Sequence, residues 1–94
     1  MEDRIKTQHP QSKQGANIEK SKYERVKAAI LDTLNGKSLT HTELTNQVKE
    51  KLRGSFDGSI GWYVETVKLD LEAHRLIERD TTLSPARYRM NLVA

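Results

Sequence analysis

The sequence predicts an α+β fold, three helices followed by a two-stranded β-hairpin, and two patterns carry that prediction. Apolar residues recur at spacings of 3 and 4 in three stretches beyond residue 20, which gathers them on one face of a helix. Near the end the pattern changes to alternation in Ala86-Arg87-Tyr88-Arg89-Met90, the period of a half-buried strand. A chain of 94 residues fits one small domain. Leu, Ile, Val and Phe number 21, enough for a modest core, and 19 of them lie beyond residue 19.

The expected division is a flexible polar N-terminal tail over residues 1–19 and a folded domain over 20–94. Beyond Met1 the tail offers only Ile5, Ala16 and Ile18 as apolar residues, with Pro10 and Gly15 among Gln, Ser, Lys and His. So little apolar surface does not offset the entropy of ordering, unless Ile18 docks on the body.

The first helix is predicted from about Ser21 to Asn35. Ser21-Lys22-Tyr23-Glu24 has the S-x-x-E form of a capping box, and Tyr23, Val26, Ile30 and Leu34 make one stripe. Gly36 suits the left-handed position that closes a helix. The second helix opens at another box, Thr40-His41-Thr42-Glu43, with Leu39 and Leu44 placed as a hydrophobic staple. Leu44, Val48 and Leu52 continue its face, and Lys49, Lys51 and Arg53 suit the negative end of its dipole. After a turn over 54–58, Ile60, Val64, Val67 and Leu71 mark a third helix from about Ser59 to Arg75. Leu76 to Asp80 and Ala86 to Met90 then form the hairpin around a Thr, Ser and Pro loop.

Leu39-Thr40-His41-Thr42-Glu43-Leu44 followed by Val48 resembles the entry to the second helix of winged-helix repressors. Val64, Val67 and Leu71 running into Glu72-Ala73-His74-Arg75-Leu76-Ile77-Glu78-Arg79 resemble their third helix and first wing strand. The resemblance to the winged helix-turn-helix family covers roughly residues 21 to 92. The whole chain, with His9-Pro10-Gln11 and Gly15-Ala16-Asn17-Ile18, also resembles short uncharacterised bacterial proteins predicted to have this fold. Two departures stand out. Arg75 occupies the place before Leu-Ile where the family usually has Gly, and the turn before the third helix is longer than usual.

Other chemistry finds little support in the residues. The chain has no cysteine, which excludes disulfides and thiol-based sites. Gly36-Lys37-Ser38 copies the end of a phosphate-binding loop, but the required earlier glycine is Leu31, inside a helix. Gly54, Gly58 and Gly61 follow a helix rather than a strand, unlike a dinucleotide fingerprint. His9, His41 and His74 lack the spacing of a metal pair, and no nucleophile elbow is present. No enzyme, cofactor or metal is therefore expected. No apolar run approaches the ~18 residues of a membrane span, and the charged start is no signal peptide, so a cytoplasmic protein is expected.

The resemblance implies binding of double-stranded DNA in transcription regulation. In that reading Arg79, Arg87 and Arg89 of the wing grip phosphates with Lys49 and Arg53 of the second helix. Thr66 and Lys68 are the contacts available on the third helix. Charge placement pulls the other way, since residues 54–75 carry net −2, the one acidic segment of a chain at +3. A helical wheel puts Trp62, Glu65, Thr66, Leu69, Glu72 and Ala73 opposite the apolar stripe. Base edges are read by Arg, Lys, Asn or Gln, which this face lacks. The alternative is an association module, a homodimer or a complex with another protein, through Trp62, Leu69 and the adjacent Thr66 and Ala73. The apolar stripe can equally meet the chain's own tail at Ile5 or Ile18. For Arg87 and Arg89 the competing role is internal pairing with Glu78 and Asp80 across the hairpin.

Overall fold

The computed structural model describes residues 3–11 and 15–91. In chain order the elements are β1 (Arg4–Lys6), β2 (Asn17–Glu19), α1 (Lys20–Leu34), β3 (Leu39–Thr40), α2 (His41–Leu52), α3 (Ile60–Ala73), β4 (Ile77–Asp80) and β5 (Arg87–Met90). The class is α+β, three helices with two small antiparallel sheets. The three apolar stripes converge on one core: Val26, Ile30 and Leu34 of α1, Leu44 and Val48 of α2, and Val64, Val67 and Leu71 of α3 are fully enclosed.

The expectation of a structureless tail is corrected for its described residues. β1 and β2 pair antiparallel, with Ile5 opposite Ile18, and Ile18 is buried in the main core. Ile18 is the residue whose docking was the stated condition for order, and it carries the strand pair with it. Thr7 is also buried, and the amide of Ala16 donates to its Oγ1 at 2.8 Å while the Thr7 amide donates to the Ala16 carbonyl at 2.8 Å.

This hairpin also displaces the first capping box. β2 runs straight into α1, which begins at Lys20 with Glu19 as its N-cap and no side-chain cap. The Lys20 amide donates instead to the Asp3 carbonyl at 2.8 Å, so a backbone neighbour does what Ser21 was expected to do. At α2 the box is present as read. Thr40 Oγ1 accepts from the Glu43 amide at 3.2 Å, and Glu43 Oε1 accepts from the Thr40 amide at 2.9 Å.

The hairpin after α3 is not two-stranded alone. Leu39 and Thr40, extended ahead of α2, pair with Tyr88 and Arg87 to give a three-stranded sheet in the order β3-β5-β4. The turn between α2 and α3 is tied to α1, since the Arg25 guanidinium donates to the Ser55 carbonyl at 2.6 Å and to its Oγ at 3.0 Å. Arg75 makes the exit from α3 in the left-handed region, at φ 61°. The Arg75 amide bonds the Glu72 carbonyl at 3.0 Å and the Leu76 amide the Leu71 carbonyl at 2.9 Å, the double closure usually built on glycine.

Candidate interaction surface around the third helix

Two charged residues flank the apolar stripe of α3, each within roughly 90° of its centre on a helical wheel. Asp70 faces the N-terminal hairpin and is 1% exposed. Its Oδ1 accepts from the Gln8 amide at 2.8 Å, and its Oδ2 accepts from the Tyr23 hydroxyl of α1. Burial first, and the bond to Asp70 second, push the Tyr23 phenol well above its ordinary range. One carboxylate therefore joins the hairpin, α1 and α3.

That anchor lays the hairpin end along the outer face of α3. A cleft of about 200 Å³ separates Gln8 and Ala16 from Trp62, Thr66 and Leu69. A second, of about 440 Å³, runs between His9-Pro10-Gln11 and Glu65, Leu69 and Arg79. Thr66, Leu69 and Ala73 are half-buried, and Trp62 stays 48% exposed at the edge. The Trp62 ring meets Tyr63 edge-on at 5.0 Å, and Tyr63 in turn meets Phe56 at 5.1 Å. Aromatic contacts of this geometry hold a ring in place beyond its area burial. Trp62 is thus an exposed ring braced by Tyr63.

Lys68 is not a surface contact, which corrects its expected role on DNA. It is 2% exposed, and its Nζ lies 3.1 Å from the Tyr88 hydroxyl, 3.0 Å from His41 Nδ1 and 3.4 Å from Glu65 Oε2. The ammonium also stands 4.2 Å from the centre of the Tyr88 ring, a cation–π distance. A lysine on the flank of a helix reaches inward when acceptors wait there. Burial, and then this ammonium, hold the His41 imidazole below its ordinary range, against an opposing pull from Glu65.

The three arginines of the sheet are engaged within the molecule. Arg79 forks onto Glu72 at 2.9 and 3.2 Å, and the Glu72 side chain is only 7% exposed. Arg89 bonds Glu78 at 3.1 Å and Asp80 at 3.2 Å, as the pairing across the hairpin predicted. Arg87 turns toward α2 instead, donating to the Ser38 carbonyl at 3.0 Å and pairing with Glu43 at 3.7 Å. Lys49 and Arg53 are exposed at the end of α2 and line an open groove of about 520 Å³ with Ser59 and Gly61. Arg53 pairs loosely with Glu50 at 3.5 Å.

Sequence reasoning missed Asp70, Tyr23 and Gln8. Their partners lie 47 and 62 residues apart, and no local pattern connects them. A carboxylate on the flank of an apolar stripe was the one available signal. Among the described residues no three His, Asp or Glu side chains group as a metal site, and no helix is long and apolar enough to cross a membrane.

A family of unknown function, DUF6958, matches residues 4–88. The chain belongs to that family. Its matched span begins at the first residue of β1 and ends within β5, so the DUF6958 unit includes the N-terminal hairpin as well as the helices and most of the sheet. No curated protein and no solved structure matches the chain.

Proposed function

We propose that this DUF6958 chain is a winged-helix module that associates with a second copy of itself through the outer face of α3. The order helix, short strand, helix, helix, strand, strand supports the winged-helix reading, together with the residues that resemble that family. The observation that carries the function is the hairpin lying along the face of α3 that a DNA-reading member would press into the major groove. With Gln8 tied to Asp70 and Glu72 held by Arg79, that face has Trp62 as its protruding group. Around it Thr7, Gln8, Gly15, Ala16, Thr66 and Leu69 carry no charge and His9 is the one titratable neighbour in that cleft, so two copies of a chain at net +3 meet there with little like-charge repulsion when His9 is neutral.

Sedimentation velocity over a concentration series tests this. Wild-type protein is expected to dimerise, and Trp62→Ala to weaken the dimer by roughly 30-fold or more, as loss of an aromatic anchor worth about 2 kcal/mol does. The circular dichroism spectrum should stay that of the wild type. A wild-type chain that remains monomeric throughout overturns the reading.

The second reading is DNA binding for transcription regulation, and one observation favours it: exposed Lys49 and Arg53 share a groove with the N-terminus of α3. Helix N-termini and cations together suit phosphates. Amide shifts of labelled protein with a duplex of about 20 base pairs, at low and then physiological salt, test it. Salt-sensitive shifts at Lys49, Arg53 and Gly61 support phosphate contact, and their absence at low salt removes it.

A further inference from the structure

His41 opens α2 directly after β3, where the sheet, α2 and α3 meet. Its Nδ1 is 3.0 Å from Lys68 Nζ, and its Nε2 is 3.4 Å from both Glu65 Oε2 and Thr45 Oγ1. An ammonium has donors only, so His41 Nδ1 accepts, and the ring's single proton sits on Nε2 toward Glu65 and Thr45. A second proton would destroy that acceptor and point an N–H at a buried cation.

The groups around the ring come from three elements. From α3 come Lys68, which opposes protonation, and Glu65, which favours it but is half exposed and already shared with Lys68. From β5, the Tyr88 hydroxyl accepts from Lys68, and Arg87 pairs with Glu43 in the first turn of α2. From α2 itself the free amides of the first turn present positive potential, which also disfavours an imidazolium. Tyr88 holds Lys68 independently of His41, through its hydroxyl at 3.1 Å and its ring centre at 4.2 Å.

We propose that His41 is an acid-sensitive latch that, while neutral, holds the start of α2 and the β3-β5-β4 sheet against α3, and on protonation releases Lys68 and loosens that junction. Because the folded state disfavours the imidazolium, the latch contributes fully above the ordinary imidazole pKa of 6.5. Its contribution is lost as pH falls from there toward the lower folded value.

Proton NMR of the full chain across pH tests the latch. The His41 ring should titrate below 6.5, with the Tyr88 ring and Lys68 side-chain signals moving at the same midpoint. A midpoint at or above 6.5, or a titration that leaves Tyr88 and Lys68 unmoved, overturns the proposal. In Lys68→Met the His41 midpoint should rise, and an unchanged midpoint again overturns it. His41→Asn keeps a neutral acceptor near Nδ1. Between about pH 8 and about pH 5 it should lose less melting temperature than wild type, and equal losses count against the latch.

Discussion

Lys68 and Asp70 stand two residues apart on α3, on opposite flanks of the same apolar stripe, and both are almost wholly enclosed. Their surroundings differ in kind. Asp70 accepts from a backbone amide and from a phenol whose proton is held more firmly than usual, and the exposed His74 imidazole, 3.4 Å from Oδ1, adds a donor at its edge. Lys68 is satisfied by a phenol, a half-exposed carboxylate and an imidazole, and the imidazole ceases to accept when it gains a proton. The lesson concerns what a buried charge is for. Lined by donors, which a proton cannot remove, it welds elements together; with a titratable acceptor, the same burial yields a joint that opens under a mild stimulus.

The sharpest way to break this contrast is to remove the weld. Asp70→Ala strands the buried Tyr23 hydroxyl, and a buried donor without a partner costs about 1–3 kcal/mol; it also releases the part-buried Gln8 amide and with it the hairpin end. A loss of roughly 3 kcal/mol in urea unfolding is expected, with the amide signals of residues 5–11 moving most. Tyr23→Phe removes the buried donor to a buried carboxylate and should cost about 1–2 kcal/mol by the same measurement. Lys68→Met should cost least, within about 1 kcal/mol, because an apolar chain of similar length replaces a buried cation that had been costly to desolvate. If Lys68→Met proves as damaging as Asp70→Ala, the joint is a second weld and the contrast fails.

What the sequence disclosed follows the same division between local and distant causes. The stripes of α1, α2 and α3 and the box at Thr40 were readable because every participant lies within a few turns. The box at Ser21 was equally well formed as a pattern, but Asp3 reaches the Lys20 amide from across a strand pair. β3 is two residues long, below the length at which alternation is visible. Strands of three residues likewise hid the N-terminal hairpin inside a stretch whose average composition is that of a tail. At the candidate surface, Trp62 and Leu69 were visible from the helical wheel. Lys68 was misplaced because the Tyr88 hydroxyl and the His41 ring that draw it inward lie 20 and 27 residues away. The arginines divided: Arg89 follows the expected cross-strand pairing, whereas Arg87 and Arg79 find Glu43 and Glu72 on helices.

The bond from Gln8 to Asp70 spans 62 positions of the chain. During synthesis at about 5–20 residues per second, roughly 3–12 s separate the appearance of the two groups. The hairpin is therefore made well before the helix that seats it. Through that interval Ile18 lacks the core that encloses it and Gln8 the carboxylate that fixes it. Until α3 is made, β1 and β2 of a nascent chain have no tie to Asp70.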